Sequence, residues 1–230
     1  MAANVPKVKK LTYFALKAAI FPAVCCMEVG GAEYEGEPVS MGPFTNDLCK
    51  VTWDSLKPST PNGQLPLCTL EDGTVIPESS AIMRACAAQT KMLGDGKDYV
   101  LSEMLMGMTG DLVKDTFGSG KVPSAFTLDS FKSAEAVKEF NDETKPKAIE
   151  RVGKYEKYLT GDKFTTSGIT IGEIDFFCKL YMLKAALPEL SEGKMKPFFT
   201  RMSELPGVKK VLEGGSKLGP LADYLVAMPY

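Results

Sequence analysis

NGQLPLCTLEDGTVIPESSAIMR, residues 62–84, is the stretch whose reading decides the fold. Leu67 to Leu70 is a short apolar run that predicts a strand. Asp72-Gly73 is a strong hairpin turn signal, and Thr74 to Ile76 is the expected return strand. Ser79 or Ser80 then caps a helix running to about Gln89, because a serine hydroxyl can accept from the unbonded N–H groups of a first helical turn.

Working outward, "KKLTYF" (9–14) predicts a strand. Residues 15–28 read as a helix, apolar at Leu16, Ala19, Ile20, Ala23 and Val24. Pro22 falls inside that helix, so a kink or an early end is expected there. A further strand is expected around Tyr34 and Val39, then a loop over about 40–50. A short helix follows in "TWDSLKPSTPNGQLP", broken up by Pro58, Pro61 and Pro66. The order β-α-β-α-β-β-α implies a mixed sheet covered by helices. Tyr13 ends the first strand. It is either a core aromatic with a tucked-away hydroxyl or a phenol aimed at a substrate.

Beyond "KMLGDGKD" (91–98) the pattern is helical throughout. "YVLSEMLMGMTGDLVKDTF" (99–117) carries methionines 104, 106 and 108, and residues 129–159 hold further helical patterns. In "GITIGEIDFFCKLYMLKAAL" (168–187) Thr170 and Glu173 form a capping box, with Ile169 and Ile174 as its hydrophobic staple. "KPFFTRMSELPGVKKVLEG" (196–214) reads as two short helices divided at Pro206-Gly207. The expected organisation is a domain over 1–90, a linker over 91–97 and an all-helical domain over 98–230.

Composition narrows the chemistry. The 230 residues include 27 basic and 29 acidic ones and no histidine. The missing histidine removes Ser-His and Cys-His nucleophile pairs and histidine metal sites, and no metal is expected. The near-neutral charge gives no footprint for nucleic acid. No apolar run approaches the ~20 residues of a membrane span, so no membrane association is expected. The six cysteines include no CxxC pair and read as reduced packing residues in a cytoplasmic protein.

Particular residues carry a resemblance. "KLTYF" (10–14), "WDSLKP" (53–58), the 62–84 block, "GITIGEID" (168–175) and "RMSELPGVKKVL" (201–212) are similar to segments of the cytosolic glutathione transferases. The likeness is greatest to the sigma class, which includes the haematopoietic prostaglandin D synthases. It spans roughly residues 9 to 214. It implies an α/β thioredoxin-like N-terminal domain followed by an all-α C-terminal domain. It also implies a cytoplasmic homodimer that uses glutathione as co-substrate and conjugates or isomerises small apolar electrophiles, as in detoxification.

By the same resemblance Tyr13 donates to the glutathione sulfur. The thiolate is the nucleophile, and a hydrogen bond to the charged form lowers its pKa. Lowering it by about two units is worth roughly 2.7 kcal/mol. Glu78 and Ser79 would meet the γ-glutamyl ammonium and carboxylate, with the N-terminus of a helix favouring the anion. Leu65 precedes Pro66, where the family carries a cis proline that turns the Leu65 backbone toward the cysteinyl unit. Trp53 and Lys57 would meet the glycyl carboxylate, with Gln64 as a further contact. Asp115 would reach across a dimer toward the neighbouring glutathione. Met104, Met108 and Phe117 would line the electrophile pocket.

The departures are specific. Where the sigma class carries Arg-Gly-Arg, this chain reads Lys17-Ala18-Ala19. The second arginine helps activate the tyrosine there, and the Ala19 side chain cannot; Lys17 is not a planar fork. Gly172 stands where alanine is usual, at an expected cost of roughly 1 kcal/mol of helix stability. These departures keep open the alternative of a transferase-like protein with a structural or assembly role, and, beyond it, a carrier without turnover.

Overall fold

The computed structural model describes residues 5–116, 122–124 and 128–227. They fall into two compact units. The first holds residues up to Gly94 together with 203–222, and the second holds 95–202 with the segment from Asp223.

The first unit is built on a five-stranded sheet of order β4-β3-β1-β5-β6. Its strands are β1 (Val8–Phe14), β3 (Glu35–Ser40), β4 (Val51–Thr52), β5 (Leu67–Leu70) and β6 (Val75–Pro77). A two-residue strand, β2 (Leu16–Lys17), lies outside this sheet. β1 runs parallel to β3 and antiparallel to β5, the mixed sheet that the helical crossovers imply. β5 has the expected bounds, and its turn has a clear cause. Gly73 takes φ +87°, and the Asp72 carboxylate accepts from the Thr74 N–H at 2.9 Å. Hydrogen bonds from the Thr74 N–H and then its hydroxyl hold the Asp72 carboxyl below the usual carboxylate range.

Three helices belong to this sheet region: α1 (Phe21–Val29), α2 (Trp53–Leu56) and α3 (Ser79–Thr90). The expected helix over 15–28 is corrected. Strand β2 and a turn occupy its first part, and the helix begins only at Phe21. Pro22 therefore sits in the first turn, where a missing N–H costs no intrahelical bond, so it does not kink or end the helix. α1 is buried from Phe21 to Met27 because α3 and α9 (Pro206–Leu212) both pack against it. A helix apolar on every side needs cover on every side. The sequence reading places residues 203–222 with the helical domain, whereas their packing joins them to the first unit. Gly207 lets α9 approach, since a Cβ there would lie 2.4 Å from the Val29 nitrogen. Beside it a buried carboxylate fastens three segments. Glu28 accepts from the Tyr34 hydroxyl at 2.8 Å and from the Lys210 ammonium at 2.7 Å.

The second unit contains α4 (Lys97–Thr116), α5 (Ala134–Glu139), α6 (Lys145–Tyr155), α7 (Ile171–Leu183) and α8 (Lys196–Ser203). Its core stacks Tyr155 on Phe176 at 4.3 Å, with Phe164 and Phe198 edge-on to one another at 5.0 Å. The capping box is present at the start of α7. Its Glu173 is 1% exposed and fully engaged. It accepts from the Phe164 N–H at 2.9 Å, the Thr165 hydroxyl at 2.9 Å and the Arg201 guanidinium at 3.0 Å. Gly172 has a packing reason that outweighs its helix cost. A Cβ there would stand 2.3 Å from the Ser102 carbonyl oxygen on α4, and the Gly172 N–H donates to the Ser102 hydroxyl at 3.0 Å.

Gly172→Ala should therefore lower stability, by about 1–3 kcal/mol from overpacking, although alanine is the better helix former. Urea unfolding checks this; a midpoint equal to or above that of the parent chain overturns the packing account.

Candidate functional site

Strand register brings the expected residues of the first unit to one end of the sheet. Thr12 pairs with Leu67 and Leu67 pairs with Pro77. One further step along each strand sets Tyr13, Pro66 and Glu78 side by side on β1, β5 and the exit of β6. Tyr13 pairs with Pro38 on the other side. Neighbouring strands lie about 4.8 Å apart, so the row from Tyr13 to Glu78 spans about 10 Å. The row lies at the carboxyl end of two parallel strands, where open α/β sheets place ligands.

Each position in the row has distinct local geometry. Tyr13 is 6% exposed, and its hydroxyl oxygen accepts from the backbone N–H of Ala19 at 3.4 Å. The Leu65–Pro66 bond is cis, as expected. Glu78 holds φ +76°, a left-handed conformation that a non-glycine residue adopts only when its surroundings impose it; such residues gather at binding sites. Glu78 itself is the N-cap of α3 and makes no side-chain capping bond. Neither Ser79 nor Ser80 is the cap, which corrects the expectation. Both lie in the first turn, where the leading N–H groups have no intrahelical acceptor. The half-buried Ser79 thus combines a hydroxyl with a helix N-terminus at the sheet end.

A second arm extends from Tyr13 through aromatic rings. Phe14 lies 5.2 Å from the Tyr13 ring and meets Trp53 edge-on at 5.4 Å. The Lys57 ammonium stands 5.9 Å from the Trp53 ring centre, in reach of a cation–π attraction. Sequence reading missed Phe14, although the next residue after a strand-end tyrosine is the natural bridge to whatever packs beyond. Gln64 is exposed on the loop entering β5.

In the second unit Asp115 lies on α4 with its carboxylate held by Arg151 at 2.6 Å, beside an Asp111–Arg151 pair at 3.2 Å. Met104 and Met108 are half-buried and one turn apart on the same helix. Phe117 lies outside the described residues. No group of three or more potential metal ligands occurs among the described residues, and no helix among them is long and apolar enough to cross a membrane.

No family model matches the chain. Glutathione S-transferase 1 of Ascaris suum is 26% identical over 206 residues, covering 87% of this chain and 93% of that protein. The crystal structure of the glutathione S-transferase from Ascaris lumbricoides superposes with a TM-score of 0.72 over 90% of this chain and 97% of that one, at 21% identity. The chain is thus similar to glutathione transferases in sequence over most of its length and in fold. A Fasciola hepatica sigma class transferase shares the fold at TM-score 0.68 and 24% identity, over 89% of this chain and 94% of that one. The architecture of a thioredoxin-like unit and a helical unit is thus the one that these relatives share.

The cysteines take no part in the row at the sheet end. Cys26 lies against Thr90 at 3.2 Å and Met92 at 3.8 Å, and burial pushes its thiol up to about 12. Burial likewise raises Cys68 to about 11 and Cys86 well above the ordinary thiol range. A thiol held protonated is a poor nucleophile. Cys49 alone of the six is half-buried rather than buried. Titration of the native protein with a disulfide reagent at mildly alkaline pH should therefore modify Cys49 quickly and the other five only on unfolding; fast reaction of Cys26 or Cys86 contradicts this.

Proposed function

We propose that the protein is a glutathione transferase of the tyrosine-activated, sigma-like kind, conjugating or isomerising small apolar electrophiles as a cytoplasmic homodimer. The observation that carries the reading is the row at the sheet end: a buried tyrosine hydroxyl, a cis X–Pro bond and an uncapped helix start, aligned by register in a chain related to these enzymes.

The chemistry follows from those groups. Glutathione offers two carboxylates, an ammonium and a thiol. The Tyr13 hydroxyl donates to the sulfur and favours thiolate over thiol. The Leu65 N–H and C=O pair with the cysteinyl backbone beside Pro66. The N-terminus of α3 and Ser79 take the γ-glutamyl carboxylate, and the Glu78 carboxylate takes the adjacent ammonium. Lys57 and Trp53 hold the glycyl carboxylate, with Gln64 as a further contact. Asp115 approaches the glutathione of the partner subunit, and Met104, Met108 and Phe117 supply apolar surface for the electrophile. The sulfur lone pair then attacks the electrophilic carbon. A C–S bond forms, and the displaced electron pair leaves with a departing group or, in an addition, takes up a proton.

One observation favours the structural alternative: the Ala19 side chain supplies no cation beside Tyr13. Calorimetric titration with glutathione, with thiolate absorbance followed in the same sample, decides between the two. The expected result is binding with a thiolate band. In Tyr13→Phe the sulfur should return to its ordinary pKa, about two units higher, with a roughly 20–30-fold loss of thiolate and of kcat/KM at pH 7. Binding without thiolate favours the structural role, and no binding at millimolar glutathione overturns the transferase reading.

A further inference from the structure

Tyr13 is near the start of a short loop whose two ends are fixed. The Ala15 carbonyl accepts from the Ala222 N–H at 3.0 Å. At the other end the Ala18 and Ile20 carbonyls accept from Phe21 and Val24 at 3.1 and 3.0 Å, tying the loop to the first turn of α1. Between these anchors the Ala19 N–H faces the Tyr13 hydroxyl oxygen at 3.4 Å.

Resting on the transferase reading above, we propose that the backbone N–H of Ala19 is a positioning group for Tyr13, doing in part what an arginine side chain at this place would do. A phenol oxygen has one proton to give and two lone pairs to fill. An amide on a lone pair from the α1 side does not compete for the proton, which a sulfur bound at the sheet end can then receive. Accepting one hydrogen bond also makes the hydroxyl a stronger donor in the next. The arrangement needs no side chain at residue 19, so alanine suffices. A neutral amide donor is about half as strong as a charged one, so the activation is partial.

The clean test replaces Ala19 by L-lactic acid through amide-to-ester exchange, which removes the N–H and keeps the side chain. A net hydrogen bond of about 0.5–1.5 kcal/mol corresponds to roughly 0.4–1 pKa unit. The pKa of bound glutathione, from the pH profile of the thiolate band, should rise by about that much, while the Kd for glutathione measured below that pKa, where the bound sulfur is still a thiol, holds. Ala19→Pro removes the same N–H by ordinary mutagenesis, and its thermal melt reports whether it still folds. In a Tyr13→Phe background the ester should add no further shift. An unchanged profile overturns the proposal. So does an equal shift in both backgrounds, because the amide would then act on the fold or the sulfur directly. If the parent chain binds glutathione without a thiolate band, or does not bind it, the transferase reading fails first and this inference with it.

Discussion

The pairing of β1 with β5, and of β5 with β6, is the constraint on which the candidate site depends. The side-chain period of a strand is two, so a slip of one residue would turn Tyr13 to the opposite face and move it away from Pro66. The slip is opposed from both sides of the sheet. Leu11, Val39, Cys68 and Leu70 are each 4% exposed or less, and the hairpin at Asp72-Gly73 fixes where β6 begins. Three residues far apart in sequence thus end in step, without any of them needing to touch the others.

What could be read in the sequence was what local chemistry dictates. β5, the hairpin and the capping box at Thr170–Glu173 each have a turn or cap residue whose conformational preference leaves few options. The reading of α1 fails because periodicity alone cannot separate a two-residue strand and a turn from a helix, and because a proline in an apolar run reads equally as an interruption and as a helix start. The Glu78 backbone could not be foreseen, since nothing about a glutamate announces φ +76°; it is imposed by the junction of β6 with α3. The hydrogen bond from Ala19 was equally hidden. Reasoning from side chains registers the loss of an arginine and has no means to see a backbone amide in its place.

Gly172 shows the same limit from another direction. Helix propensity marks it as a cost, but propensity describes one helix in isolation. The distance from its position to the Ser102 carbonyl is a property of two helices, and it decides which residue can stand there. Buried Glu173 belongs with it. A carboxylate 1% exposed is tolerable only because backbone, hydroxyl and guanidinium donors surround it.

The Glu28 clip has a consequence for how the chain acquires its structure. Its Lys210 ammonium and the helix that carries it are 182 residues downstream of Glu28. On a ribosome making about 5–20 residues per second, the apolar surface of α1 is translated long before α9 exists to cover it. The first unit to be synthesised is therefore the last able to close. Its core waits on the C-terminal fifth of the chain, so a nascent chain halted near Gly94 leaves the side of α1 that α9 covers as a ready surface for chaperones.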